Sequence, residues 1–319
     1  MHALVFETFG GPEVLHLREL PDPVPATSEV LVRTRAIGLN FADIYRRQGH
    51  YHLAGDPPWI AGYEAAGEVV SAPAGSEFAS ADRVAFADSA FANAQLVAVP
   101  EDRLIPLPDD IDFETAAALL LQGLTAQYLL RDSHPIRQGE TVLVHAGAGG
   151  VGQLLVQLAV ASGARVLALA STAEKTAVAA AAGAHATATY AEDWVAIAQA
   201  FGGNGVDVAY DSVGSTVQDS LRAVRNGGQV VFYGMAGGNP EPVDPRLLMD
   251  GSKTLTGGDL WNVLRTKEDR RERAAELFEA IRTSRLRVSI DARFALADGA
   301  AAHAHLESRR AVGKVLLIP

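Results

Sequence analysis

The stretch TVLVHAGAGGVGQLLVQLAVASG, residues 141–163, decides the fold of the second half of the chain. Its apolar start is typical of a buried strand, and its end has the apolar spacing of a helix. The loop between them, GAGGVG at 147–152, satisfies the pattern G-x-G-x-x-G. Such a loop lets a ligand approach the backbone, and the amides and dipole of the following helix favour a phosphate group. The alternative is a glycine-rich turn that holds no ligand.

The region after residue 140 alternates strands and helices. Apolar runs such as RVLALAS, VDVAYDS and QVVFYG are separated by helical patterns, and TVQDSLRAVRNG at 216–227 is predicted to be one of the helices. This alternation predicts a doubly wound parallel sheet, and six strands fit the order 3-2-1-4-5-6. In that setting Gly147 is expected to permit the tight turn, Gly149 to let a pyrophosphate approach, and Gly152 to let helix and strand pack closely.

The end of the second predicted strand of this region selects between the two dinucleotides. NAD-binding proteins place Asp or Glu there to bond the ribose hydroxyls, whereas this chain has Ala170-Ser171 and no acidic residue before Glu174. Small residues leave room for a 2′-phosphate, and Lys175 offers it a positive charge. We therefore predict NADPH as the cofactor, the alternative for Lys175 being an ordinary surface lysine.

The composition limits the classes of function. The chain has 319 residues, enough for two domains, with a formal net charge of −11 and no cysteine. An acidic chain without a basic patch is not expected to bind nucleic acid or an anionic membrane. The N-terminus does not resemble a signal peptide and no apolar run reaches membrane-spanning length, so a cytoplasmic protein is expected. The missing cysteines exclude disulfides and sulfur-ligated zinc.

Several motifs along nearly the whole chain resemble those of a known family, and they follow one another in the same order. They are FGGPEVL at 9–15, AIGLNFADIYRRQG at 36–49, GYEAAGEV at 62–69, GETVLVHAGAGGVGQLLVQLA at 139–159 and DSVG at 211–214. Together they resemble the zinc-independent quinone oxidoreductases, the zeta-crystallin-like members of the medium-chain dehydrogenase/reductase superfamily.

The resemblance implies an α/β protein of two domains. A GroES-like β-barrel catalytic domain would comprise residues 1–124 and 263–319, and a Rossmann domain with a doubly wound parallel sheet would comprise 125–262. Family members commonly form dimers through the edge of the Rossmann sheet, so a homodimer is expected.

The resemblance also bears on metals. Zinc-dependent relatives have Gly-His-Glu where this chain has Tyr63 in the place of the histidine. The histidine pairs at 50 and 52 and at 303 and 305 lack a third ligand, and the second pair lies in a helical pattern that separates its two side chains. We therefore predict no metal site.

Site residues follow from the same resemblance. Asn40 and Tyr45 would be catalytic, because an amide and a phenol can donate hydrogen bonds where a nicotinamide and a quinone or enolate oxygen meet. The alternative for Tyr45 is an aromatic ring packed between the domains. The residues implied in cofactor binding are Asn40, Thr125, Gly149, Gly150, Val151, Ser171, Lys175, Tyr190, Ser212, Tyr233, Gly234 and Lys314.

Three functions compete at this point. The first is an NADPH-dependent quinone reductase that acts without zinc on small quinones. The second is an enoyl or alkenal reductase, which adds hydride to an α,β-unsaturated carbonyl compound. The third is a protein that binds NADPH without catalysis. Asn40, Tyr45 and Thr125 are the residues that favour an enzyme over the third.

Overall fold

The computed structural model describes residues 1–319 and contains sixteen strands and nine α-helices. The strands are β1 (His2–Phe6), β2 (His16–Glu19), β3 (Glu29–Leu39), β4 (Trp59–Ile60), β5 (Ala65–Ser71), β6 (Arg83–Phe86), β7 (Leu96–Pro100), β8 (Ile105–Pro106), β9 (Thr141–Val144), β10 (Arg165–Ala170), β11 (Ala186–Thr189), β12 (Val206–Asp211), β13 (Val224–Phe232), β14 (Thr254–Gly257), β15 (Ile290–Ala295) and β16 (Lys314–Ile318). The α-helices are α1 (Phe41–Arg47), α2 (Phe113–Tyr128), α3 (Gly150–Ala161), α4 (Ala173–Ala181), α5 (Trp194–Gly202), α6 (Val217–Ala223), α7 (Pro245–Gly251), α8 (Lys267–Arg282) and α9 (Gly299–Glu307).

The chain divides into two units. The first comprises residues 1–121, 264–279 and 288–319, and the second comprises residues 122–263 and 280–287. The second unit therefore takes in 280–287, which lie inside the range 263–319 that the resemblance gives to the catalytic domain. The side chain of Gln157 in α3 accounts for this difference, because it bonds both the amide and the carbonyl of Arg287, at 2.8 and 3.0 Å.

The second unit is built on a six-stranded parallel sheet in the order β11-β10-β9-β12-β13-β14. Since β9 is the first strand of this sheet along the chain, the order is the predicted 3-2-1-4-5-6. All four residues of β9 are buried, as expected for a central strand covered on both faces. The predicted doubly wound sheet is confirmed.

One helix boundary in this unit is predicted wrongly. The helix expected over 216–227 ends at Ala223, and Val224 already pairs with Val206 at the start of β13. Gly227 follows with a φ of +71°, a conformation that a right-handed helix does not contain. The turn and the irregular start of β13 replace the last turn of the predicted helix.

The first unit contains two sheets. One has the order β15-β16-β3-β5-β6-β8, with β7 also paired to β3, and the other has the order β2-β1-β4. The eleven-residue strand β3 is central, and its last residue, Leu39, lies opposite Val315 of β16. This register places Asn40, which follows β3, close to Lys314, which begins β16.

None of the nine α-helices combines the length and the apolar composition that a membrane span requires. The side chains of His, Asp and Glu form no group of three or more that could hold a metal ion.

Candidate functional site

The glycine loop turns at Ala146 and not at Gly147. Ala146 has a φ of +50°, in the left-handed region, and Gly147 does not. Gly147 lies against the sheet instead, since a Cβ built on it would stand 2.8 Å from the Cβ of Ala168. A Cβ built on Gly152 would stand 2.2 Å from the carbonyl oxygen of Ala146. The expected purposes of the two glycines are therefore exchanged: Gly152 permits the turn and Gly147 the close packing.

The helix α3 begins in this loop without a side-chain cap. Gly149 is its N-cap residue, and Gly149, Gly150 and Val151 are all half-buried. The amides of a first helical turn have no partner within the helix, so they can donate to an anion. Gln122 lies against Gly150, where an added Cβ would stand 2.0 Å from the Gln122 Oε1. This geometry fits a phosphate group bound to the backbone.

The residues after β10 form a small, exposed turn. Ser171 is exposed, and Thr172 caps α4 by accepting a hydrogen bond from the amide of Lys175 at 3.3 Å. Lys175 therefore sits in the first turn of α4, where the helix dipole adds to its positive charge. Hydrogen bonds from its own amide and from Thr172 lower the pKa of the neighbouring Glu174, which is an anion at neutral pH. Small residues, a cation and a helix N-terminus together fit a phosphate monoester.

The ends of β12 and β13 lie side by side. The carbonyl of Ser212 accepts a hydrogen bond from the amide of Ala236 at 3.0 Å, and the amide of Tyr233 donates to the carbonyl of Asp211 at 2.9 Å. A Cβ on Gly234 would stand 3.0 Å from the Ser212 carbonyl oxygen. The structure thus brings the backbones of Ser212, Tyr233 and Gly234 together at the carboxyl edge of the sheet.

Two predicted cofactor residues of the second unit are less exposed. Thr125 lies in α2 and is 9% exposed. The hydroxyl of Tyr190, which follows β11, accepts a hydrogen bond from the amide of Ala146 at 2.9 Å. Burial raises the pKa of Tyr190 far above its ordinary value, so its hydroxyl keeps its proton. The structure joins Tyr190 to the glycine loop, while its predicted contact with the cofactor stays a prediction.

In the first unit, Asn40 is held by a buried ion pair. The Lys314 Nζ donates to the Asn40 Oδ1 at 2.9 Å and to the Glu64 Oε2 at 2.5 Å. The Asn40 Nδ2 donates to the same Glu64 oxygen at 2.9 Å, and the other Glu64 oxygen accepts the amide of Leu121 at 2.7 Å. The amide group of Asn40 therefore has one fixed orientation. Lys314, predicted to contact the cofactor, has its ammonium group engaged by two side chains of its own unit.

Glu64 is the functional residue that the sequence analysis missed. It is fully buried and it bonds both Asn40 and Lys314. A Cβ on Gly38 would stand 2.4 Å from the Glu64 Oε2, so β3 needs a glycine at that point. The motif GYEAAG was a usable signal, because an acidic residue between apolar ones requires a partner when it is buried.

Tyr45 lies on α1, one turn beyond Asn40. Asp43 fixes the start of this helix, because its Oδ2 accepts the amide of Asn40 at 2.9 Å. The half-buried ring of Tyr45 contacts the rings of Phe41 and Tyr51, with centroids 6.3 and 6.5 Å away. Burial raises the pKa of Asp43 against the lowering influence of Arg46, whose guanidinium lies 3.2 Å away.

Tyr63, which the family resemblance places at the histidine position of zinc-dependent relatives, is covered by a cation. The guanidinium carbon of Arg46 lies 3.6 Å from the centre of the Tyr63 ring. Arg46 also donates to the carbonyl of His52 at 3.1 Å, and the hydroxyl of Tyr63 accepts the amide of Ala54 at 3.1 Å. An arginine stacked on an aromatic face is a stable arrangement that leaves this position positively charged.

Comparison with models of known families finds a match in each of the two units. Residues 26–109 match the model of the alcohol dehydrogenase GroES-like domain, and residues 150–280 match the model described as zinc-binding dehydrogenase.

Full-length relatives are also similar. The chain is 42% identical to a quinone oxidoreductase of Pseudomonas aeruginosa over 322 residues, which cover 98% of each protein. It is 36% identical to a 2-haloacrylate reductase of a Burkholderia species, over 99% of this chain and 98% of that protein. The crystal structure of the Escherichia coli quinone oxidoreductase complexed with NADPH superposes with a TM-score of 0.96, at 37% identity and over the whole of both chains.

Proposed function

We propose that this chain, which belongs to the quinone oxidoreductases of the medium-chain dehydrogenase/reductase superfamily, is an NADPH-dependent reductase that transfers hydride to quinones. The observation that carries the proposal is the carboxyl edge of the parallel sheet. There the uncapped start of α3 and the turn that bears Ser171 and Lys175 follow the neighbouring strands β9 and β10, and the amide of Gly147 donates to the carbonyl of Leu169 at 2.8 Å. The start of α3 suits a pyrophosphate, and the turn suits a 2′-phosphate.

Lys175 is the reason for proposing NADPH and not NADH as the cofactor. The turn offers no carboxylate directly after β10 to bond both ribose hydroxyls, and Glu174 is bonded to its own amide and to Thr172. A lysine in the first turn of α4 adds a full charge to the partial charge of the helix N-terminus. The residues therefore fit a phosphorylated ribose better than a free one.

Of the two residues predicted to be catalytic, Tyr45 is assigned to the acceptor and Asn40 to the positioning of Tyr45. NADPH, when bound, supplies the hydride, and an acceptor oxygen then gains negative charge. A phenol is a hydrogen-bond donor for such an oxygen, and Tyr45 is the residue to which we assign this task. Asn40, fixed by Glu64 and Lys314, holds the start of α1 and with it the position of Tyr45.

We propose that the reaction needs no zinc. The resemblance gives Tyr63 the position of a zinc ligand, and the guanidinium of Arg46 lies directly on its ring. A second cation there would be repelled at short range. Polarisation of the acceptor oxygen is therefore assigned to hydrogen-bond donors on protein side chains.

A reductase of α,β-unsaturated carbonyl compounds is the second candidate. It is favoured by the 36% identity to a protein named 2-haloacrylate reductase, whose name denotes an unsaturated carboxylate as substrate. Quinones and enones are both electron-poor conjugated carbonyl compounds, and both need a hydride donor and an oxygen-polarising group.

The consumption of NADPH tests these functions. Its absorbance is followed with purified protein against 1,4-benzoquinone, 9,10-phenanthrenequinone and a panel of enones. The proposal expects the highest kcat/KM with a quinone. A higher kcat/KM with an enone selects the second candidate, and NADPH binding without turnover of any acceptor selects a non-catalytic protein.

We also propose that the protein is a homodimer. β14 is an edge strand of the parallel sheet, with one side unpaired, and the preceding helix α7 exposes Leu247 and Met249 by 55% and 70%. Edge strands and exposed apolar side chains are surfaces that a second copy can cover. Light scattering should give twice the chain mass of 33.6 kDa, and Leu247→Asp with Met249→Asp should shift it toward one chain mass. A single chain mass for the unaltered protein would refute the dimer.

A further inference from the structure

A continuous series of hydrogen bonds, half-buried at Tyr190 and buried at the other three side chains, runs along the carboxyl edge of the parallel sheet. The Tyr190 hydroxyl lies 3.3 Å from the His145 Nδ1, and the His145 Nε2 lies 2.9 Å from the Ser220 Oγ. The Ser220 Oγ donates to the Asp211 Oδ2 at 2.7 Å. We name these four side chains the Tyr190–Asp211 relay. Three of them have no part in the proposed reaction.

Each end of the relay holds the backbone of a loop. At one end the Tyr190 hydroxyl accepts the amide of Ala146, the residue with a φ of +50° at the turn of the glycine loop. At the other end the Asp211 Oδ1 accepts the amides of Val213 and Gly214, at 2.9 and 3.0 Å. The first loop leads into α3, and the second follows β12.

The donors and acceptors of the relay fit one protonation state. Asp211 accepts from Ser220, so the Ser220 oxygen must receive its own hydrogen bond from the His145 Nε2. His145 is then the neutral Nε2–H tautomer, and its bare Nδ1 accepts the proton of the Tyr190 hydroxyl. The Tyr190 oxygen remains free to accept from Ala146. Every hydrogen bond therefore points from the glycine loop toward the Asp211 carboxylate.

The surroundings keep the relay in this state. His145, Ser220 and Asp211 have no exposed surface, and the Trp194 ring lies edge-on to His145 with centroids 5.2 Å apart. Burial lowers the pKa of His145, against the opposite influence of Asp211, so the imidazole stays neutral. Buried polar groups that lose a partner cannot turn to water instead.

We infer that the Tyr190–Asp211 relay couples the glycine loop to the loop after β12, so that the two keep their positions together. Tyr190 and His145 are thus positioning residues that act through the Ala146 backbone. The coupling itself needs no ligand. Its consequence for NADPH affinity rests on the proposed function, because both loops carry predicted cofactor contacts.

Amide hydrogen exchange of the ligand-free protein tests the coupling. Tyr190→Phe removes one hydroxyl at the glycine loop, and Ser220→Ala interrupts the relay at its centre. If the loops are coupled, each variant speeds exchange in both loops, 145–149 and 212–216, by about three- to ten-fold, the effect of one lost hydrogen bond. Faster exchange confined to 145–149 in Tyr190→Phe would overturn the inference.

Thr141→Val is the matched control for general loss of stability. The Thr141 hydroxyl bonds the Asp207 Oδ2 at 2.8 Å, joining the same strands β9 and β12 at their other ends. The inference expects this variant to leave exchange in the two loops unchanged relative to the rest of the sheet. Equal acceleration of the loops in Thr141→Val and in Ser220→Ala would contradict the relay.

NADPH binding, followed by the fluorescence of the reduced cofactor, tests the consequence. Each relay variant should raise the Kd about three- to ten-fold, and the double variant should raise it no further than the stronger single one. Independent, multiplying effects would refute the coupling. If the unaltered protein bound no NADPH, the proposed function would fail, while the exchange measurement would still decide the relay.

Discussion

Single residues show most clearly which contacts a sequence pattern cannot predict. Asn40 and Tyr45 are predicted site residues because they belong to a contiguous motif, AIGLNFADIYRRQG. The ion pair that fixes Asn40 joins Glu64 to Lys314 across 250 positions. No local spacing encodes such a pair, because the registers of β16 and β5 on β3 bring it together.

The buried pair of Glu64 and Lys314 should be costly to break. Replacing Lys314 with Met leaves the Glu64 carboxylate buried without its counter-ion, and this should lower the free energy of unfolding by about 3–5 kcal/mol. Urea unfolding of the ligand-free protein measures this loss of stability. Arg18→Met removes the partner of Glu7 at the surface, where both side chains are about half exposed, and should cost at most about 1 kcal/mol. Equal losses in the two variants would show that burial of the pair contributes nothing.

Tyr45 should matter for turnover and not for cofactor affinity. Tyr45→Phe retains the ring that contacts Phe41 and Tyr51 and removes only the hydroxyl. Loss of the donor should lower kcat with quinones by about 10²-fold, while the Kd for NADPH stays the same. An unchanged kcat would assign Tyr45 to packing alone, the alternative that its sequence left open.

His303 should make stability depend on pH. It is fully buried in α9, neither ring nitrogen has a hydrogen-bond partner, and burial beside Arg47 lowers its pKa to about 3. The unfolded chain takes up a proton near pH 6.5 and the folded chain does not, so stability is complete above that pH and falls as the pH drops toward 3. At pH 5 the loss from this group should be about 2 kcal/mol. In His303→Leu the difference between unfolding at pH 7 and pH 5 should shrink by that amount, and an identical pH dependence would contradict the assignment.

At the scale of elements, the strand, loop and helix at 141–163 were predictable, but the structural role of each glycine in the loop was not. Periodicity predicted a strand at the start of this stretch and a helix at its end, and β9 and α3 lie there. The left-handed turn lies among contacts that the local pattern does not contain: Gly147 packs against Ala168 of β10, and the amide of Ala146, which takes the turn, donates to Tyr190. The end of α6 was missed for a similar reason, since pairing of Val224 with Val206 outweighs the helical pattern.

The glycine loop gives a prediction at this scale. A Cβ at Gly152 would stand 2.2 Å from a backbone oxygen, whereas at Gly149 the nearest atom would be 3.2 Å away. Gly152→Ala should therefore lower Tm by several degrees, an effect of about 1–3 kcal/mol from overpacking. Gly149→Ala should lower Tm by less than Gly152→Ala and lose at least about ten-fold in NADPH affinity, because its methyl group faces the proposed phosphate position. Equal Tm values for both variants would contradict the packing, and unchanged affinity in Gly149→Ala would contradict the phosphate position.

For the whole molecule, the alternation of strands and helices was sufficient to predict the sheet order of the second unit. Strands buried on both faces leave few arrangements, and the observed order is the predicted one. The first unit was less predictable, because β4 and β8 have two residues each and carry no periodicity. The candidate site differs in another way: the motifs suggest which residues bind and react, whereas the contacts among Glu64, His145, Ser220 and Asp211 depend on the folded chain, although three of these residues lie within the motifs.

The central claim, an enzyme specific for NADPH, is tested most directly by comparing kcat/KM for NADPH and NADH with one quinone, in the unaltered protein and in Lys175→Ala. The account predicts that NADPH is strongly preferred. Lys175→Ala should lower kcat/KM for NADPH by about ten- to hundred-fold, the loss of one charge-assisted contact, and leave the value for NADH unchanged. Equal use of the two cofactors, or an unchanged kcat/KM for NADPH in Lys175→Ala, would contradict it.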